Sequence, residues 1–121
     1  MNEDVFVFGS NSAGKHGAGA AKCAGQHHGA VYGIGEGRTG NAYAIPTKDE
    51  QLNVLPLNEI EVYVRTFMVH ARINPNERFY VTRVGCGLAG YTAQQIAPMF
   101  KNAPSNCILP KDFIEIIEAI N

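Results

Sequence analysis

The chain has 121 residues, of which 45% are hydrophobic and 17% charged, a length and composition that predict one globular domain over residues 1–121. Its formal net charge of −1 provides no field that would draw it to nucleic acid or to an acidic membrane, so we expect no direct nucleic-acid binding. It has no run of about 18 apolar residues and no basic start of a signal peptide, so we expect a soluble cytoplasmic protein without a membrane partner.

The chain opens with a predicted strand, a loop and a helix. Residues 5–8 are continuously apolar, which is typical of a buried strand, and Gly9 ends the run. Residues 9–19 are rich in small residues and predict a loop. A short helix should begin near Ala20 and end near residues 28–29, where glycine is a favourable C-terminal cap.

The next segment is dominated by glycine. Residues 30–41 are too rich in glycine for a regular element, apart from a short edge strand at residues 30–32. Residues 42–47 predict a strand, and Pro46 near its end indicates that the N–H of that position is not needed in the ladder. Residues 51–56 form a linker.

The second half of the chain begins with the clearest amphipathic helix. Apolar residues recur at helical spacing from Leu57 to Ala71, which predicts a helix over residues 57–73. Residues 74–76, Asn-Pro-Asn, predict a turn. Residues 79–84 are rich in β-formers and predict a strand, which a loop with three glycines follows up to Tyr91.

The chain ends with two predicted helices around a short strand. Thr92 is a good N-cap for a helix that reaches residues 99–101. Residues 106–109 predict the last strand, and Pro110 is well placed to start a final helix with one apolar stripe. The alternation of strands and helices predicts an α/β domain with a mainly parallel sheet.

The distribution of glycine indicates a binding site. Ten of the 13 glycines lie between Gly9 and Gly40, and the other three are Gly85, Gly87 and Gly90. Two clusters predict two loops where the backbone takes positive φ or approaches a ligand closely, and we expect the loops to face each other. Residues 9–49 also hold four lysines and arginines against two acids. Together these features favour an anionic small ligand with phosphate groups, although solvated lysines beside ordinary turns are the alternative.

Several common sites are absent from the sequence. Neither glycine cluster reads GxxxxGK[ST] or GxGxxG, which disfavours ATP hydrolysis and an ordinary dinucleotide dehydrogenase. The three cysteines are odd in number and lack CxxC spacing, so we expect reduced thiols, and we predict no disulfide, metal site or cofactor.

Two stretches resemble the macro domains, a family that binds ADP-ribose. Residues 9–21, Gly-Ser-Asn through Gly-Ala-Gly-Ala-Ala, are similar to the macro-domain loop that holds the distal ribose. Residues 84–91, Val-Gly-Cys-Gly-Leu-Ala-Gly-Tyr, are similar to its pyrophosphate loop. The resemblance implies a three-layer, macro-domain-like α/β fold, with a mainly parallel central sheet and helices on both faces.

The chain is most similar to the branch of terminal ADP-ribose protein glycohydrolases. A Gly-Ala-Gly helix start, a strand that ends in Ile-x-Thr-Lys, a long helix and a Gly-Cys-Gly-Leu loop follow in that order. The resemblance implies that Lys48 is the catalytic lysine, which attacks the anomeric carbon of the distal ribose. A lysine can do so only when neutral, and a solvated lysine after a strand is the alternative. Ala89 stands where this branch has its second catalytic group, an acid, which puts hydrolysis in doubt.

Four side chains have competing interpretations. His16 is a candidate general base or phosphate ligand, or a plain loop histidine. Asn11 could bond the ribose hydroxyls or close an Asx turn. Cys86 could form a stabilised thiolate, but we favour packing. Tyr91 could cover the distal ribose or fill the core.

The sequence therefore predicts a protein that binds ADP-ribose or a related nucleotide, with an ADP-ribosylated macromolecule as a further partner if it hydrolyses that linkage. The alternatives are a non-catalytic module that captures a nucleotide signal and a structural or protein-interaction domain. The candidate catalytic residues are Lys48 and His16. The candidate ligand-binding residues are Gly9, Ser10, Asn11, Gly17, Ala18, Gly19, Gly85, Cys86, Gly87, Leu88, Ala89, Gly90 and Tyr91.

Overall fold

The structure is a computed structural model that describes residues 4–120. Strands and helices alternate along most of the chain. In chain order they are β1 (Val5–Asn11), α1 (Gly19–His27), β2 (Gly37–Thr39), β3 (Ala42–Lys48), α2 (Leu57–Ile73), β4 (Phe79–Val81), α3 (Ala93–Ile96), a 3-10 helix (Ala97–Phe100), β5 (Cys107–Ile108) and α4 (Lys111–Ile120).

The strands form one mixed, mostly parallel sheet. Its order is β2-β3-β1-β4-β5, so β1 lies at the centre. The pairs β1/β3, β1/β4 and β4/β5 are parallel, and β2/β3 is antiparallel. The predicted α/β domain with a mainly parallel sheet is confirmed.

Each face of the sheet has its own apolar cluster, because successive strand residues point to opposite faces. Val5 and Val7 of β1 belong to the larger cluster, which contains side chains of α2, α3 and α4. Phe8 belongs to the smaller cluster, which it shares with Ala21 and Ala24 of α1. Helices therefore pack on both sides of the sheet, an arrangement compatible with three layers.

The long helix α2 has the predicted bounds. Ile60, Val64, Phe67 and Ala71 are fully buried, as their spacing predicts. The predicted cap at Thr92 is also confirmed, since Thr92 and Gln95 form a reciprocal capping box at the start of α3. No helix within residues 4–120 is long and apolar enough to cross a membrane.

The predicted ends of β1 and of the helix after Thr92 are wrong. Strand β1 continues past Gly9 to Asn11, because β3 offers a ladder partner at each of these positions. The predicted helix from Thr92 to residues 99–101 is α-helical only to Ile96 and continues as a 3-10 helix. Pro98 lies in this 3-10 turn, and its missing N–H cannot make an α-helical hydrogen bond.

The predicted edge strand at residues 30–32 is also wrong. Residues 31–34 form a turn there instead, in which the N–H of Ile34 donates to the carbonyl of Val31. The antiparallel edge strand is β2, which pairs with the start of β3 around the two residues Gly40 and Asn41. Gly40 has a φ of 56°, and a Gly-Asn pair between two extended runs is a hairpin signal.

An ion pair holds the edge strand to the rest of the sheet. The guanidinium of Arg38 donates to both carboxylate oxygens of Glu77 at 2.9 and 3.0 Å. This bidentate contact joins β2 to the segment before β4, and it lowers the pKa of Glu77.

The predicted end of the strand that opens at Phe79 is also wrong. Strand β4 ends at Val81, and the predicted last residue, Val84, lies in a turn.

Candidate functional site

A cleft of about 780 Å³ opens at the carboxyl ends of three parallel strands. The residues Gly9 to Asn11 of β1, Thr47 and Lys48 of β3, and Thr82 and Arg83 after β4 contribute to it. The chain leaves β1 towards α1 on one face and leaves β4 towards α3 on the other. Connections that diverge in this way leave a crevice between adjacent strands, where open α/β sheets commonly bind ligands.

The cleft brings together most of the predicted binding residues. Eleven of the thirteen lie in its wall, and Gly90 and Tyr91 do not. The candidate nucleophile Lys48 also lines the cleft, whereas His16 does not. The eleven residues are Gly9, Ser10, Asn11, Gly17, Ala18, Gly19, Gly85, Cys86, Gly87, Leu88 and Ala89.

The cleft is electropositive in a chain whose charges nearly balance. Within residues 4–120, the charged side chains that line it are Lys15, Lys48 and Arg83, and none is acidic. Lys15 and Lys48 form no ion pair with any described residue. Cations that are not neutralised by neighbouring carboxylates attract an anionic ligand.

The first turn of α1 adds partial positive charge to the same wall. The residues Gly17 to Ala21 line the cleft, and α1 begins at Gly19. Ala18 at the N-cap makes no side-chain capping bond, and the first turn contains no acidic residue. The first N–H groups of this nine-residue helix therefore lack the capping that a serine or aspartate would provide.

The two glycine clusters meet at the cleft, as predicted. A Cβ on Gly9 would lie 3.4 Å from the backbone nitrogen of Gly85, and one on Gly19 would lie 3.7 Å from Cδ1 of Leu88. Gly85 has a φ of 77°, which favours glycine. At Gly17 and Gly87 a Cβ would meet no heavy atom within 4 Å, so both positions face open space.

Other glycines of the first cluster serve packing instead of ligand approach. A Cβ on Gly35 would lie 2.0 Å from the carbonyl oxygen of Asn11, and one on Gly14 would lie 2.2 Å from the carbonyl carbon of Gly33. A Cβ on Gly40 would lie 2.7 Å from the carbonyl oxygen of Gly29. These backbones are too close for any side chain, which explains the glycines at positions 14, 35 and 40.

Lys48 is the last residue of β3 and is half-buried in the cleft wall. Its carbonyl oxygen accepts hydrogen bonds from the N–H and hydroxyl of Ser12, at 2.9 and 3.3 Å. The next residue, Asp49, accepts bonds at 2.9 Å from the N–H groups of Gln51 and Asn53. Its carboxylate holds the turn after β3 and does not line the cleft.

The side chains of Ser10 and Asn11 hold the loop together. The buried hydroxyl of Ser10 donates to the carbonyl of Gly35. The amide of Asn11 accepts from the N–H of Lys15 and donates to its carbonyl, both at 2.9 Å. Both ends of this amide are engaged with the backbone, which matches the turn-closing alternative for Asn11.

His16 is buried away from the cleft. Its side chain is 8% exposed, and its ring contacts Phe8 and Tyr32 edge-on at centroid distances of 5.6 and 6.0 Å. Burial lowers the pKa of His16, and the nearby backbone of Ile34 partly offsets this lowering. Neither ring nitrogen forms a well-aligned hydrogen bond with a described residue. The ring therefore packs the loop, and this placement does not match the predicted general-base role.

The second glycine loop divides into a cleft side and a core side. Cys86 lines the cleft and also packs against the larger apolar cluster, and its thiol donates to the carbonyl of Val84 at 3.6 Å. Burial raises the pKa of this thiol, so its surroundings favour the packing interpretation over a stabilised thiolate. Ala89 also lies in the cleft wall. The hydroxyl of Tyr91 donates to the carbonyl of Leu55 at 2.6 Å, and its ring packs against the larger apolar cluster. Tyr91 therefore follows the core alternative.

The cleft contains residues that the sequence analysis did not name as site residues. Thr82 and Arg83 line the cleft, although the sequence placed them only in a strand. Their position at the end of a parallel strand, directly before a glycine loop, would have indicated them as site residues. Tyr32 and Leu52 lie in segments without a motif. Leu52 has a φ of 66°, which is uncommon for a residue with a side chain.

Comparisons of the chain with protein-family models, with curated proteins and with solved structures find no match.

Proposed function

We propose that the cleft binds ADP-ribose or a closely related nucleotide diphosphate. The observation that carries this proposal is the lining: within residues 4–120 it includes Lys15, Lys48 and Arg83 but no acidic residue, and nine of its twenty residues are glycine or alanine. Backbone N–H groups of glycine loops and of a helix N-terminus are the usual ligands of phosphate in α/β proteins. The volume of about 780 Å³ is in the range of small-molecule sites.

The two loops offer complementary contacts for such a ligand. The loop of residues 84–91 and the first turn of α1 approach from opposite sides, with Gly85 close to Gly9. A diphosphate between them would accept hydrogen bonds from both backbones and lie near the cations. Tyr32 and Leu88 are 69% and 70% exposed at the cleft and offer apolar surface to a base or ribose.

The proposal includes a macro-like fold. Its support is the resemblance of residues 9–21 and 84–91 to the two ligand loops of that family, together with their meeting at one cleft. A central parallel sheet with helices packed on both faces is compatible with that fold.

Hydrolysis of an ADP-ribosyl linkage is the second candidate function. The position of Lys48 in the cleft, without an ion pair to any described residue, favours it. Ala89 lies where the resembling branch has an acid, and Asp49 is engaged in a turn. These two features favour a module that binds the nucleotide without turnover.

Calorimetric titration with ADP-ribose tests the binding proposal, with AMP, ADP and NAD as comparisons. We expect micromolar binding of ADP-ribose and weaker binding of AMP, which has one phosphate. No heat with any of the four nucleotides would overturn the proposal and would favour a structural or protein-interaction domain.

The Lys48→Ala variant separates the enzyme from the binding module. If the parent protein releases ADP-ribose from a modified protein, we expect this variant to lose turnover while it still binds ADP-ribose. Turnover that survives in the variant would exclude Lys48 as the nucleophile. A parent protein that binds without turnover would be a reader, and the Ala89→Asp variant would then test whether the missing acid is the reason.

A further inference from the structure

Arg83 is placed between the cleft and a second groove. It is the one described residue that lines both the cleft and a neighbouring groove of about 570 Å³ between the segment at Thr92 and helix α4. In the structure its guanidinium points to the groove and pairs with Asp112 of α4, with Nη2 and Oδ2 3.0 Å apart.

This ion pair is weak enough to exchange. The two side chains are 59% and 40% exposed, and exposed pairs of this kind contribute little stability. The carboxylate of Asp112 has another partner, because it accepts a bond from the N–H of Phe113 at 3.0 Å in the first turn of α4. The helix N-terminus therefore continues to stabilise the carboxylate when Arg83 leaves.

The backbone beside Arg83 is fixed, so only the side chain has to move. The N–H and hydroxyl of Thr82 both donate to the carbonyl of Val7, at 3.0 and 2.7 Å. The carbonyl of Arg83 accepts from the N–H of Cys86 at 3.0 Å. Both charged groups lie near the second glycine loop: burial raises the pKa of the Cys86 thiol, the charge of Arg83 lowers it, and that of Asp112 raises it.

We propose that Arg83 binds the diphosphate of the ligand, and that Asp112 competes with the ligand for it. In the free protein Arg83 pairs with Asp112, and in the complex it turns into the cleft and bonds the phosphates. A guanidinium is suited to this exchange because its planar donors fit carboxylate and phosphate alike. The inference rests on the proposed function for the identity of the ligand, but the anion site itself is testable with inorganic pyrophosphate.

Calorimetric titration with ADP-ribose and with inorganic pyrophosphate tests the competition. We expect Arg83→Gln to weaken the binding of both by about tenfold or more, the usual loss for a hydrogen bond to a charged group. We expect Asp112→Asn to strengthen both by up to about fivefold, because it removes the competing carboxylate. In the double variant the gain from Asp112→Asn should disappear.

A matched ion pair provides the control. Arg65 and Glu61 form an exposed pair on α2 at 3.7 Å, and neither lines the cleft. The Arg65→Gln and Glu61→Gln variants change the net charge in the same way, and we expect them to leave both affinities unchanged.

NMR of the parent protein provides a second test. The signal of the Arg83 Nε–H group, which can be assigned by its loss in Arg83→Gln, should shift when pyrophosphate is added.

The outcomes separate this inference from the proposed function. Pyrophosphate binding with the expected variant pattern, but no ADP-ribose binding, would support the Arg83 site and overturn the nucleotide. ADP-ribose binding that does not depend on Arg83, or that Asp112→Asn weakens, would leave the function standing and overturn the competition. If neither anion binds the parent protein, both proposals are wrong.

Discussion

Two glycines of the cleft wall and three glycines behind it differ in what surrounds them. Gly17 and Gly87 face open space, and a side chain at either position would project freely. Gly14, Gly35 and Gly40 are pressed against the backbone of a neighbouring segment, with 2.0 to 2.7 Å between the Cβ position and the nearest atom. The same residue type therefore serves two purposes within one cluster: it leaves room for a ligand, or it lets two backbones touch.

This difference shows why a count of glycines does not locate a binding site. The ten glycines from Gly9 to Gly40 belong to one cluster in the sequence, but only Gly9, Gly17 and Gly19 line the cleft. The distinction predicts separable effects of substitution. Changes behind the cleft should lower stability, and changes that face it should lower binding.

The largest effect is expected from Gly35→Ala. Its Cβ would overlap the carbonyl oxygen of Asn11, a backbone atom that cannot move without disrupting β1. We expect the free energy of unfolding to fall by about 3 kcal/mol, as measured by urea denaturation. Gly17→Ala is the matched control, because its Cβ meets nothing within 4 Å, and it should leave stability nearly unchanged. Equal effects of the two substitutions would contradict the distinction.

Gly87→Glu should have the opposite effect to Gly35→Ala: it should lower ADP-ribose affinity and leave stability nearly unchanged. A side chain at this position has free space, so we expect little change in the urea midpoint. The glutamate would fill the cleft and repel an anion, and ADP-ribose affinity should fall at least tenfold in calorimetry. Gly87→Ala adds no charge and should have a much smaller effect. Full binding by Gly87→Glu would show that the ligand does not pass this loop.

Gly85 lies between the two groups and should combine both effects. Its φ of 77° disfavours any side chain, and a Cβ would lie 3.0 Å from Cδ1 of the buried Ile96. We expect Gly85→Ala to lower the free energy of unfolding by about 1–2 kcal/mol and to weaken ADP-ribose binding severalfold. Loss of stability without any change in affinity would assign Gly85 to the packing group.

The smallest effect concerns pH and the packing behind the cleft. Burial lowers the pKa of both His16 and His70 in the folded protein; the charge of Arg38 adds to this effect at His70, and that of Glu77 opposes it. The unfolded chain, with histidine pKa values near 6.5, binds more protons than the folded chain in mild acid. Stability should therefore be complete above about pH 6.5 and fall as the pH drops from there through the folded-state pKa values.

Urea denaturation at pH 7.5 and pH 5.5 measures this loss. His16→Gln and His70→Gln should each reduce the difference in unfolding free energy between the two pH values. A difference that persists in the double variant would mean that other groups cause it.

Much of the fold could be predicted because its signals are local. The spacing of Ile60, Val64, Phe67 and Ala71 defines α2, and Thr92 defines the start of α3. The wrong ends depend on partners far along the chain. Gly9 and Ser10 belong to β1 only because Ile45 and Pro46 lie beside them, and a glycine gives no local sign of this.

The candidate site was predictable as two loops, but the details of its side chains were not. The backbone of residues 9–19 and 84–91 meets as the glycine pattern predicts. Asn11, His16 and Tyr91 are suitable residues for ligand chemistry, yet their side chains bond or pack within the protein. Arg83 shows the converse, because a strand-end arginine has no motif, and only the folded sheet brings it to the cleft.

The outer strands of the sheet limit its association with other chains. A sheet edge exposes unpaired N–H and C=O groups on which another strand can add. Here β5 has two residues and β2 has three, and Arg38 in the middle of β2 is engaged with Glu77. Each edge offers only a few hydrogen bonds to an incoming strand, so concentrated solutions of the folded chain should resist aggregation through edge-to-edge pairing.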